Sequence, residues 1–149
     1  MKRLLIVLGS KSDLPFLADA KRLFQKSHIE YEIKIISAHR NIRKIVEVFD
    51  PNSLGGKKIA VVLAIAHSVA NLPAIIAGYL KSSPIHVIGV GNVKNDSDVI
   101  ESLLSVISIP AGVPLLNSGV GKVGLHNAAL ACIKILQTEK ASKTGALRK

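Results

Sequence analysis

The chain has 149 residues, 48% hydrophobic and 20% charged, which excludes a disordered chain and supplies one domain with enough apolar material for a core. Twenty basic against ten acidic side chains leave a formal charge of +10, which suits anionic ligands, nucleotides included. Nucleic acid is a poor partner, because Trp is absent, aromatic residues make up 3%, and no basic–aromatic alternation offers stacking platforms.

Leu4-Leu5-Ile6-Val7-Leu8 is an unbroken apolar run that stops at Gly9, so Arg3 to Leu8 reads as a buried strand. Ser10-Lys11-Ser12-Asp13 follows, then Leu14-Pro15 and helical spacing through Leu17, Ala18, Lys21 and Phe24. Asp13 is placed to cap that helix, and Pro15 suits its first turn. A strand ending in Gly and small polar residues at a helix start presents free N–H groups to a phosphate, although the same residues fit an ordinary connection. A second strand, Tyr31 to Ile36, ends in Ser37-Ala38-His39-Arg40 and leads to a helix bearing Ile42, Ile45, Val46 and Phe49. Asp50 to Gly56 is loop by its Pro, Asn and Gly content. Ile59 to Ile65 is a continuous β-branched strand, its loop runs from Ala66 to Asn71, and a helix opens at Leu72-Pro73. Ile59 to Leu80 carries no formal charge, but His67, Ser68, Asn71 and Pro73 in its middle reject a membrane span. Ile85 to Val90 forms a fourth strand, followed by a helix with Val99, Ile100, Leu103 and Leu104. A short fifth strand lies around Leu115-Leu116, and the last helix runs from about Gly121 to Leu136.

Strict alternation of strand and helix predicts parallel strands with right-handed crossovers, hence an α/β, flavodoxin-like three-layer α/β/α sandwich on a five-stranded parallel sheet. Residues 1–138 form a single domain, and 139–149 a basic tail with a solvated, frayed end. Lone Cys132 sits in an apolar helical pattern and serves as core filler. Without a disulfide framework or a leader-like segment, the expected location is the cytoplasm.

Loops after the strands emerge at one sheet edge, where this architecture binds ligands. His39 is the leading group for proton transfer, and Arg40 beside it can hold a phosphate or carboxylate. His67 faces the same edge, as a catalytic group or a polar loop filler; His126 reads as structural. Metal-ligand spacing is absent, and no Gly-x-Ser-x-Gly elbow supports a Ser hydrolase. No acidic residue ends strand three as a phosphate-accepting receiver would need, and the loops lack aromatic walls for a flavin.

Gly9-Ser10-Lys11-Ser12-Asp13 together with Ser37-Ala38-His39-Arg40 resembles the PurE family, the 5-(carboxyamino)imidazole ribonucleotide mutases of purine biosynthesis. Asn71-Leu72-Pro73, Ile109 to Pro114, Gly121-Lys122 and Asn127-Ala128-Ala129 extend the resemblance in family order and spacing, up to about Leu136. The resemblance implies a cofactor-independent isomerase that moves a carboxylate on aminoimidazole ribonucleotide from the exocyclic nitrogen to a ring carbon. The implied course is decarboxylation in a closed pocket, recapture of carbon dioxide, and proton removal by His39. Gly9, Ser10, Ser12 and Asp13 are then expected at the ribose and phosphate end, with Ser37 and Arg40 adding phosphate contacts. Ala66, Ser68, Asn71 and Leu72 supply the third wall, and the family assembles as homo-octamers. A direct carboxylase, or carboxy-lyase, using free carbon dioxide is the rival enzyme, and a non-catalytic nucleotide or sugar-phosphate binder the rival from another class. The third loop departs from the family: Asn71 replaces a second histidine, and Ile65 and His67 bring bulk expected to narrow the pocket. Ala111 stands where the family commonly has Arg or Pro.

Overall fold

The computed structural model describes residues 3–50 and 58–144. In chain order, β1 (Arg3–Leu8) leads through a 3-10 helix (Lys11–Leu17) into α1 (Ala18–Lys26), followed by β2 (Tyr31–Ile35) and α2 (Ile42–Phe49). Then come β3 (Ile59–His67), α3 (Asn71–Tyr79), β4 (His86–Asn92), α4 (Asp98–Ile107), β5 (Leu115–Asn117) and α5 (Gly121–Thr144). The strands pair in parallel in the order β2-β1-β3-β4-β5, the doubly wound arrangement expected from the alternation.

Alternate strand residues point to opposite faces, and each face packs its own helices. Leu4, Ile6 and Leu8 of β1 join Leu63 and Ile65 of β3 under α1 and α5, where Phe24, Leu125 and Ala128 close the layer. Leu5, Val7, Val62 and Ala64 point the other way, toward Ile45 of α2, Ile76 of α3 and Val106 of α4. Cys132 of α5 is fully buried in the first layer, and burial pushes its thiol up to about 12. The α5 N-terminus comes close to the backbone before it: a Cβ on Gly124 would lie 2.3 Å from the Gly119 carbonyl carbon.

Several boundaries differ from the sequence reading. The expected cap at Asp13 belongs instead to Ser10, whose hydroxyl accepts the Ser12 N–H at 3.2 Å. Lys11–Leu17, with Pro15 inside it, forms a 3-10 helix, and the α-helix starts only at Ala18. β2 stops at Ile35, whereas β3 and β4 run on to His67 and Asn92, because the two pair in register to their ends. α5 continues beyond Leu136 to Thr144, taking up the first part of the basic segment. The expected Asp50–Gly56 loop lies outside the described residues apart from Asp50. No helix among the described residues is long and apolar enough to cross a membrane.

Candidate active site

β1 is flanked by β2 on one side and β3 on the other, and the crossover from β1 to β2 through α1 and that from β2 to β3 through α2 lie on opposite faces of the sheet. The C-terminal ends of such strands leave a crevice between their loops. Here a cleft of about 280 Å³ is lined by Gly9, Ser10, Ser12 and Asp13 after β1, by Ser37 to Arg40 after β2, and by Ala66, His67, Val69 and Leu72 after β3. A larger hollow of about 350 Å³ at the opposite edge, around the Arg3–Glu30 ion pair, contains no imidazole and gathers no catalytic set.

The first loop is shaped from within. Asp13 is 1% exposed, and its carboxylate accepts the Ser10 N–H at 3.1 Å and the Asn92 side-chain amide at 2.9 Å. Both oxygens are therefore engaged by the protein, and a buried carboxylate so satisfied is a fixed anchor for the turn. Ser12 Oγ lies 3.1 Å from Ser10 Oγ, so the two hydroxyls sit side by side at the cleft. Gly9 lets this loop lie against the next strand: a Cβ there would press to 3.3 Å from Ala66 Cβ.

His39 stands at the opposite wall and is exposed. Asn71, the first residue of α3, brings its amide nitrogen 3.1 Å from His39 Nε2. An amide N–H can only donate, so Nε2 accepts, and the neutral ring carries its proton on Nδ1. A second imidazole, His67, donates from Nδ1 to the Asn92 carbonyl at 2.8 Å, with Nε2 3.8 Å from Asp98. The carbonyl cannot donate, which fixes that ring's orientation too. Asn92 thus links the Asp13 turn to the end of β3. The residues lining the cleft bring together hydroxyls, the Arg40 side chain and imidazole, a set able to hold an anion and move a proton. Among the described residues no three His, Cys, Asp or Glu side chains converge as a metal ion would require.

A family model described as AIR carboxylase matches residues 3–149. The chain belongs to the AIR carboxylase family. It is similar to the N5-carboxyaminoimidazole ribonucleotide mutase of Pyrococcus abyssi, 34% identical over 136 residues that cover 91% of this chain and 74% of that one. The corresponding mutase of Saccharolobus solfataricus is 34% identical over 136 residues, 91% and 82% of the two chains. That of Mycobacterium leprae is 35% identical over 132 residues, 88% and 72%. The fold matches that of Treponema denticola PurE with a TM-score of 0.68, at 17% identity over the full length of both chains.

In this AIR carboxylase family member, most residues singled out from the sequence come together. Gly9, Ser10, Ser12, Asp13, Ser37, His39, Arg40, Ala66 and Leu72 line the cleft, and Asn71 meets it through His39. Ser68 is turned toward α4, its hydroxyl donating to Glu101 at 3.0 Å. Ile65 does not narrow the cleft, because strand alternation sends it into the α1/α5 layer, while His67 does line the cleft. Ala38 and Val69 line the cleft in addition to these residues, and Asn92, which the alternation places at the same edge, supports it from behind. The pairing of His67 with Asn92 across β3 and β4 is the signal for Asn92, and it emerges only once both strands are extended to their true ends.

Proposed function

We propose that this chain is an N5-carboxyaminoimidazole ribonucleotide mutase acting in purine biosynthesis, the activity that its relatives' names carry. The observation that carries the reading is His39, lining a cleft of about 280 Å³ together with Ser10, Ser12 and Arg40, its Nε2 unprotonated and accepting from the Asn71 amide. In the proposed reaction the carbamate C–N bond breaks, carbon dioxide is released into the cleft, and the exocyclic nitrogen takes up a proton from water. The ring carbon attacks the carbon dioxide, and His39 removes the proton displaced from that carbon and returns it to water. One proton is taken up on nitrogen and one is given back from carbon, so the step is a net isomerisation. The Ser10 and Ser12 hydroxyls beside Gly9 hold the phosphate and ribose, with Ser37 and Arg40 adding phosphate contacts, Ala66 and Leu72 lining the cleft, and Asp13 fixing the turn.

The chain works, in this reading, as a homo-oligomer, with the octamer as the expected form, and in the cytoplasm. Support for assembly comes from α4, where Ile100 is 71% and Leu104 49% exposed, four positions apart along one side of the helix. The deciding experiment supplies purified protein with the carbamate nucleotide and, separately, with aminoimidazole ribonucleotide plus bicarbonate. Conversion of the first alone is expected. Conversion of the second alone would replace the mutase by a carboxylase, and saturable binding without conversion would leave a binding protein.

A further inference from the structure

Ser68, Val69 and Ala70 form the short connection that delivers Asn71 to His39. One face of α4 holds it from outside the cleft. Glu101 Oε2 accepts the Ser68 hydroxyl at 3.0 Å, the Ser102 hydroxyl donates to the Ser68 carbonyl at 3.0 Å, and Ser105 Oγ accepts the Ala70 N–H at 2.9 Å. The Ser105 proton turns back to its own helix, toward the carbonyls of Glu101 and Ser102 at 2.9 and 3.0 Å, leaving a lone pair for Ala70. The contact needs a close approach of α4 to the sheet, and Gly91 of β4 permits it: a Cβ there would lie 2.8 Å from Ser102 Cβ. Ser68 sits at φ +59°, a left-handed conformation that a non-glycine residue keeps only where its surroundings hold it. Neither Ser102 nor Ser105 lines the cleft.

We propose that Ser102 and Ser105 are positioning residues for His39, acting through the Ser68–Ala70 connection and Asn71 to keep Nε2 the unprotonated nitrogen. This rests on reading His39 as the base of the mutase reaction. The Asn71 amide follows directly on the anchored Ala70 N–H, and a hydrogen bond weakens steeply once its donor swings out of line. With the anchor gone, Nε2 loses its directed donor and both neutral tautomers become populated. On substrate binding the Asn71 amide yields Nε2 to the substrate, and a ring already in the Nδ1–H tautomer needs no proton shift to act as base; without the anchor only part of the population is so prepared.

The test reads the His39 ring nitrogens by 15N NMR of the labelled full chain, at alkaline pH where imidazoles are neutral, with H39N assigning the signal. In the wild type Nε2 is expected at the unprotonated position. Ser105→Ala, Ser102→Ala and Asn71→Ala should each move His39 toward a mixed tautomer and lower kcat about tenfold with KM changed less than about twofold. Ser105→Thr, which keeps the hydroxyl, should restore both readouts. Because Ser105 acts through Asn71, the N71A/S105A double variant should be no worse than N71A, whereas independent structural damage would add. An unchanged His39 tautomer in S105A, or additive loss in the double variant, overturns the proposal. If S102A fails to fold at its buried position, S105A alone decides. If the wild type does not turn over the carbamate nucleotide, the mutase reading fails while the NMR comparison still decides the positioning role.

Discussion

At the scale of single residues, the site depends on side chains whose hydrogen bonds leave them little choice. His39 is held with a lone pair at Nε2 by the Asn71 amide, while His67 is turned by the Asn92 carbonyl. Substituting His39 with Asn removes the proposed base but keeps a polar side chain. Steady-state assays should therefore show kcat reduced by roughly 10²–10⁴-fold, and ligand titration should show nucleotide affinity nearly intact. Equal loss of affinity and turnover would make His39 a binding residue. Asp13 shows how far a residue's type alone can mislead. Its Asp-Leu-Pro context reads as the N-cap; it instead closes a capping box on the Ser10 N–H and is a buried anchor whose second partner, Asn92, lies on another strand. No local pattern announces a partner 79 positions away.

At the scale of elements, two helix junctions carry separable consequences. The start of α5 packs on Gly119 so closely that Gly124 has no room for a methyl group. Gly124→Ala therefore forces backbone against backbone, and chemical denaturation should show a loss of about 1–3 kcal/mol or more, despite the better helix propensity of Ala. The second junction ties α1 to α5 through Asp19 and His126, whose Oδ2 and Nδ1 lie 2.6 Å apart. The hydrogen bond from His126, with further help from the His126 and Arg22 charges, outweighs desolvation and holds the Asp19 carboxyl below its ordinary value. A depressed carboxylate contributes stability above the unfolded value, about 3.9, and loses it as pH falls through the lower folded one. The Tm difference between wild type and Asp19→Asn should thus be present at neutral pH and close in strong acid. A difference that persisted there would assign the effect to packing. The elements themselves were largely legible, since unbroken β-branched runs and helical spacing mark buried strands and their crossovers. The 3-10 segment was not, because Pro15 suits an α-helix start as well as a 3-10 turn. The orientation of α4 was not either: its burial falls on Ser102 and Val106, leaving the expected apolar positions Ile100 and Leu104 outward.

At the scale of the molecule, the strand order concentrates chemistry at one place. Loops from β1, β2 and β3 form the cleft, while β4 and α4 supply Asn92 and the serine face that brace those loops from behind. The ligand edge was therefore legible from alternation alone, but the bracing was not, because it arises from strand register and helix approach. The outward apolar side of α4 bears on assembly. Replacing Ile100 and Leu104 together by Glu should leave the monomer fold intact, since exposed positions tolerate such changes within about 0.5 kcal/mol each. Light scattering should nevertheless show the proposed oligomer reduced to smaller species. An unchanged mass would move the interface to another face.

Cys132 gives this molecule an internal witness. Its sulfur is sealed between α5 and the sheet, and only a thiolate attacks a disulfide reagent. A folded chain should be silent toward a chromogenic disulfide, so each thiol that reacts counts one chain in which α5 has left its bed. The colour-forming rate should rise with denaturant in step with loss of helix signal, and fall when a nucleotide occupies the cleft. A rapid reaction in native buffer would instead reveal that α5 opens by itself, with the sheet still standing.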